Sequence, residues 1–247
     1  MRYIKPYQIF EASATALTQE QIDWLDKCVD GSWKLNTSTG LVDVDGRFYC
    51  REQGLTDFKG VKFGDVNGHF YCDQNRLTSL VGAPQSVGQS FRCEDNELTT
   101  LEGAPQTVGG HFYCDDNGLT TLVGAPQTVK GEFRCYDNQL TTLVGAPQTV
   151  KGDFHCYGNQ LTSLEGAPQS VGGYFNCKFN PVSESTLDSI FALMRKGMAY
   201  QQALEKCWPK MKDVDRVLMY KDHPSLSPED ARKYKALATY ANIKGYL

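Results

Sequence analysis

The chain has 247 residues, a formal net charge of −4 and 40% hydrophobic residues, enough apolar material for a packed core. The longest uninterrupted apolar runs are a few residues, which excludes a membrane-spanning helix, and Met1 to Phe10 lacks the apolar stretch of a secretory signal. The expected compartment is therefore the cytoplasm. A negative total gives no general reason to expect nucleic acid, which rewards a basic face.

In chain order, the first predicted element is a helix. Thr18-Gln19-Glu20-Gln21 has the form of a capping box, Ile22, Leu25 and Cys28 give an apolar face, and Asp30-Gly31 ends it. Residues 1–40 are read as an N-terminal helical cap. From Leu41 to Val182 the chain is governed by a period. Cys50, Cys72, Cys93, Cys114, Cys135, Cys156 and Cys177 are spaced by 22 residues and then by 21 five times. Zinc motifs use close pairs and disulfide frameworks irregular spacings, so a constant interval of this size announces a repeat.

Aligned on the cysteines, the unit is F-x-C-x-x-N-x-L-T-x-L-x-G-A-P-Q-x-V-x-G-x. Phe-x-Cys places two apolar side chains on one face of a short strand. Gly-Ala-Pro-Gln then breaks any helix, because proline lacks an N–H and pushes the residue before it toward extended conformations. A 21-residue turn leaves no room for a helix on the return side. Each strand should pair in parallel with its counterpart one turn on, at about 4.8 Å spacing, so that about seven turns make roughly 30 Å of sheet.

The wording F-x-C-x-x-N-x-L-T-x-L resembles the leucine-rich-repeat consensus, with Phe and Cys in two of the leucine places. It is similar to the short bacterial and bacteriophage class, and in particular to uncharacterised phage-encoded leucine-rich-repeat proteins that share the stretch Leu161 to Gly173. The likeness also takes in Leu41 to Gly46 and the tail from Asn180-Pro181-Val182. It implies an α+β repeat solenoid with a parallel sheet on its concave face, an extended, turn-built convex side and helical caps. It implies no activity. A phage origin would place the protein in the cytoplasm of an infected bacterium.

The first turn departs from the pattern, with Gln53 where Asn belongs and Phe58 in place of the second leucine. Terminal repeats degenerate because they meet a cap. Beyond Val182 the periodicity becomes helical. Ser185 with Asp188 reads as a helix start, with Leu187, Ile190, Phe191 and Met194 following and a stop at Gly197. Tyr200 to Trp208 is a second amphipathic stretch. Ser227, Pro228 and Asp230 open a last helix carrying Tyr234, Leu237, Ala238 and Ala241 on its face. Residues 183–247 are thus a C-terminal helical cap that can double as an interaction module.

The repeat cysteines lie in the inward register beside Phe, where free cysteine behaves as a small hydrophobe, so neither a metal nor a redox centre is expected. Asn96, Asn117, Asn138, Asn159 and Asn180 should bond backbone groups at the bend, and Thr99, Thr120, Thr141 and Thr162 should serve the same bend. The outward positions vary while the rest is nearly copied. One column reads Tyr49, Tyr71, Arg92, Tyr113, Arg134, His155 and Asn176; the next reads Arg51, Asp73, Glu94, Asp115, Tyr136, Tyr157 and Lys178. The column on its other side reads Arg47, His69, Ser90, His111, Glu132, Asp153 and Tyr174. Tyr, Arg and His on a rigid sheet are residue types that dominate binding hot spots. Opposed to this, Tyr favours strands on any surface.

Asp95, Asp116 and Asp137, with Asp73, Glu94 and Asp115 alongside, form an acidic strip. Calcium needs six to eight converging oxygens, which strand residues do not offer, so a basic partner is the expected match, with plain solubility of the surface as the alternative. The candidate binding residues are Tyr71, Arg92, Tyr113, Arg134, Tyr136, His155, Tyr157, Asp115, Asp116 and Asp137, with no cofactor, no metal and no catalytic residue. The expected partner is a host or viral protein; nucleic acid is disfavoured, although Lys206, Lys210, Lys212 and Arg216 make the tail basic. The alternative is a structural component of a virion or oligomer, and composition leaves the oligomeric state open.

Overall fold

The computed structural model describes residues 16–244. The reading of Met1 to Phe10 as free of a signal, and the first part of the 1–40 cap, lie outside the described residues. The architecture is a parallel β-solenoid of about six full turns flanked by helices. Phe48, Phe70, Phe91, Phe112, Phe133, Phe154 and Phe175 stand in register on successive rungs.

The entry differs from a purely helical cap. Helix α1 (Gln19–Cys28) has the predicted capping box between Thr18 and Gln21. Strand β1 (Val29–Asn36) follows it directly and pairs antiparallel with β2 (Leu41–Tyr49). The sequence reading missed this hairpin. It exists because Gly31 faces Gly46 at the crossing, where a side chain on Gly31 would meet Asp45 O at 2.3 Å. The turn is closed by Asn36 Oδ1, which accepts from the Ser38 and Thr39 N–H groups. An antiparallel partner covers part of the exposed edge of the first turn.

Strand β2 belongs to two parallel ladders. Its end, Phe48–Tyr49, starts the Phe ladder, while Val42 and Val44 pair with β3 (Phe63–Val66). The return stretch, expected only as extended chain, is itself a ladder of short strands. Ser86–Val87, Thr107–Val108, Thr128–Val129, Thr149–Val150 and Ser170–Val171 continue it from β3. The reason is backbone satisfaction: a buried return segment must pair its N–H and C=O groups, and the copy one turn on presents them in register.

Between the ladders lies the core. Seven Phe rings pack in file, with neighbouring centroids 4.8–5.6 Å apart. Every repeat cysteine is buried and outside any disulfide, and burial pushes the thiols of Cys50, Cys72, Cys93, Cys114, Cys135 and Cys156 up, away from the reactive thiolate form. Cys72, Cys93 and Cys114 donate to the carbonyls of Arg92, Tyr113 and Arg134 on the next rung.

The asparagines do what their column predicts. Nδ2 of Asn138 donates to the carbonyls of Cys114, Cys135 and Tyr136, and its Oδ1 accepts from Leu119 N–H, so one amide ties two rungs at the bend. Asn75, absent from the predicted set, does the same for Cys50, Cys72 and Asp73. The turn that follows is bonded by a different column from the one expected. Thr100, Thr121 and Thr142 accept from the N–H two residues on, whereas Thr99, Thr120 and Thr141 lie exposed beside them.

The first turn meets α1 through its departures from the repeat. Gln53 accepts from the Trp24 indole at 3.0 Å and donates to Cys28 Sγ, and Phe58 packs edge-on to Phe63 and Phe70. At the far end α2 (Glu184–Met194) takes Ser183 as its N-cap, two residues before the expected cap at Ser185. Its first turn is held by the buried Asp215 carboxylate, which accepts from Ser183 N–H, Ser183 Oγ and Thr186 Oγ1. Phe191 closes the ring file on Phe175 at 3.8 Å. Helices α3 (Tyr200–Cys207), α4 (Asp213–Met219) and α5 (Pro228–Lys244) complete the cap. Ser227 caps α5 as predicted, while Leu237 is exposed rather than part of a buried face. No helix among the described residues is long and apolar enough to cross a membrane.

Candidate functional site

The outward side of the Phe ladder carries one ordered row. Because strand pairing is parallel and in register, residues 21 apart in sequence become neighbours. Arg92 lies between the rings of Tyr71 and Tyr113, its guanidinium 5.1 and 5.2 Å from their centroids, and Arg134 lies 4.2 Å from the other side of Tyr113. Tyr71, Arg92, Tyr113 and Arg134 therefore alternate as a cation–π stack over four rungs. These side chains are half-buried, which leaves their orientation largely set before any partner arrives.

At the end of the row Glu132 acts as a hub. Its carboxylate accepts from Arg134 Nε at 2.8 Å and Nη2 at 3.1 Å, and from the Tyr113 hydroxyl at 3.0 Å. His155 Nε2 stands 2.8 Å from the same carboxylate. Burial alone would raise the Glu132 carboxyl, but hydrogen bonds from Arg134 and Tyr113 outweigh it and hold it below the usual range. Glu132, Asp153 and His155 approach closely enough to raise the question of a metal. A cation there would compete with the Arg134 guanidinium for an already occupied carboxylate, so the cluster is a hydrogen-bonded anchor.

Next to this row, Tyr136 and Tyr157 stack with centroids 4.4 Å apart and planes 7° from parallel. A cavity of about 420 Å³ opens here, lined by Glu132, Arg134, Tyr136, His155, Tyr157, Asn176, Lys178 and Phe179. The predicted residues Tyr71, Arg92, Tyr113, Arg134, Tyr136, His155 and Tyr157 thus form one continuous surface.

The acidic strip does not survive as read. Asp116 and Asp137, like Asp95, are exposed at the bends, where their backbones take positive φ of 51°, 48° and 54°. Asp73, Glu94 and Asp115 are instead 1%, 7% and 4% exposed. Asp115 is therefore not available to steer a partner. Asp73 pairs with Arg51 at 2.6 Å, Glu94 lies 2.8 Å from an Arg92 Nε whose N–H is not aimed at it, and Asp115 is bonded by Tyr136. One oxygen of each of these three carboxylates is buried without a partner. Burial pushes Glu94 up to about 7 and Asp115 up to about 6, and their mutual proximity adds to the rise in Glu94.

The third outward column is also partly framework. His69 Nδ1 accepts from Ser90 N–H, Ser90 Oγ from His111 N–H, and His111 Nδ1 from Glu132 N–H, at 3.0–3.2 Å. These side chains satisfy strand-end donors one rung on. Sequence reasoning did not single out Glu132 or Phe179. Glu132 breaks the run of His69, Ser90 and His111 in its column, and Phe179 stands where earlier turns have Gln74, Asp95, Asp116, Asp137 and Gly158; both signals were present in the repeat alignment.

Compared with protein-family models, curated proteins and solved structures, the chain matches none of them.

Proposed function

We propose that this protein is a non-catalytic interaction module that binds a protein partner on the outward face of its Phe ladder. The observation that carries the reading is the Tyr71–Arg92–Tyr113–Arg134 stack with its Glu132 and His155 terminus. Aromatic and guanidinium groups dominate interface energetics, and anchors ordered before binding lose less side-chain entropy. The exposed Asp95, Asp116 and Asp137 at the bends favour a partner with basic features along the central rungs. Strand, asparagine bend and extended return in a parallel stack support the leucine-rich-repeat resemblance, in which this sheet would be the concave face. The same resemblance favours a phage protein acting on a host or viral protein in the bacterial cytoplasm.

The test is capture from a bacterial lysate, followed by titration of the captured protein against wild type and the double variant Tyr113→Ala with Arg134→Ala. Affinity should fall at least about tenfold, since loss of an anchor of this kind typically costs more than about 1 kcal/mol. Circular dichroism and Tm should barely move. Undiminished affinity in a folded double variant would sink the choice of face.

A further inference from the structure

On the reading just given, the partner must offer something to the cavity at the C-terminal end of the face. The Tyr136 and Tyr157 rings continue one another on consecutive rungs, 4.4 Å apart and nearly parallel. In the same column the next rung carries Lys178, so the ring file stops while the strand ladder goes on to Phe175–Asn176. The cavity reaches this missing ring, with Tyr157, Lys178 and Phe179 all in its lining. Phe179 is 82% exposed and holds a φ of 53°, a conformation that bulky side chains rarely adopt. Every earlier residue in its column, Glu52, Gln74, Asp95, Asp116, Asp137 and Gly158, is acidic, polar or glycine, so an exposed ring here is a departure at the cavity wall.

The charge changes with it. Earlier rungs place acids at this position, as in Glu94-Asp95 and Asp115-Asp116, and the last places Lys178-Phe179. With Arg134 and Lys178 against Glu132, the lining has one more cation than carboxylate.

We infer that this cavity is a socket for an aromatic side chain of the partner, followed by an acidic residue, with the incoming ring stacked on Tyr157 as the third ring of the file. Offset stacking between Tyr157 and the Phe179 wall would hold the ring, and the carboxylate would face Lys178 and Arg134. A nucleobase with its phosphate is the competing occupant, and it is an arm of the test.

The probes are the N-acetylated amides Gly-Trp-Glu-Gly, Gly-Leu-Glu-Gly and Gly-Trp-Lys-Gly, and adenosine monophosphate. Each is titrated by NMR into the full chain as wild type, Tyr157→Leu and Phe179→Gly. Phe179→Gly copies the glycine of the preceding rung and relieves the positive φ, so it keeps the fold. The Trp-Glu peptide should bind saturably and shift the signals of Tyr136, Tyr157 and Phe179. Its affinity should exceed that of either control peptide by at least about tenfold and fall by a similar factor in both variants, the scale of one lost aromatic contact with its buried area. The socket is overturned if the Trp-Glu peptide does not saturate, if the variants bind it equally, or if adenosine monophosphate binds more tightly. Loss of partner capture in the Tyr113→Ala, Arg134→Ala variant, together with a silent Trp-Glu peptide, would leave the proposed face standing and remove the socket. Normal partner capture by that variant, with the peptide seated, would do the reverse.

Discussion

A single asparagine side chain does the work of a missing strand neighbour. Asn138 is buried, and its amide satisfies three carbonyls and one N–H at a bend where the ladder cannot continue. Replacing it with alanine leaves those groups buried and unpaired, at a cost of about 1–3 kcal/mol. The chemical-denaturation midpoint of Asn138→Ala should fall accordingly. An unchanged midpoint would show that water replaces the amide. The role was legible from the sequence because Asn recurs three residues after every repeat cysteine but Cys50. The opposite case is Asp115, whose residue type and outward register predict a solvated acid. It is buried instead, and Tyr136, 21 residues on, bonds it.

At the scale of the strand, that burial couples three rungs. Asp73, Glu94 and Asp115 occupy one column, with Arg51 and Arg92 as the cations facing them and Tyr136 as a neutral donor; Arg134, which also acts on Asp115, is matched by the Glu132 carboxylate it bonds. Tyr71 and Cys93 flank the same groups. Three carboxylates against two guanidiniums leave one excess negative charge, which a proton on Glu94 removes. The sign follows from the direction of the shift. Glu94 holds its proton more tightly folded than unfolded, so its contribution to stability is complete below the ordinary glutamate value of 4.5 and is lost as pH rises through about 7. Asp115 acts in the same sense between 3.8 and about 6. His69 and His223, which burial lowers, act in the opposite sense over the same range, so the test is the difference between proteins: the urea midpoint of Glu94→Gln should fall less, or rise more, from pH 5 to pH 8 than that of wild type. A decline as steep in Glu94→Gln as in wild type would contradict the role given to the buried Glu94 carboxyl.

Across the whole molecule, each turn contacts its neighbours and little else, so stability is distributed along one dimension. Trp24 on α1 caps one end, packed on Phe48 and Phe63 at 5.3 and 6.4 Å and bonded to Gln53. Trp24→Ala should cost about 3–5 kcal/mol locally, from lost burial and the cavity left behind. Hydrogen exchange should speed up at Phe48 and Phe70 while the amides of Phe133 and Phe154 keep their protection. Uniform loss of protection along all rungs would show that the solenoid unfolds as one unit.

The sequence by itself determined the repeat length, the inward Phe, Cys and Leu columns, the asparagine ladder and the identity of the outward columns. Each of these follows from periodicity, since alternation along a strand decides which side a residue faces. It also named most of the surface that forms the Tyr and Arg stack. Tertiary structure decided what each outward residue meets. Asp73, Glu94 and Asp115 became buried, His69, Ser90 and His111 became acceptors for neighbouring N–H groups, and Glu132 became the hub between Tyr113, Arg134 and His155. The β1–β2 hairpin and the second ladder were likewise decided by which backbone groups needed partners once the turns had stacked. The physical reason is the same throughout: local sequence sets the direction of a side chain, whereas its burial and charge are set by residues a full turn away.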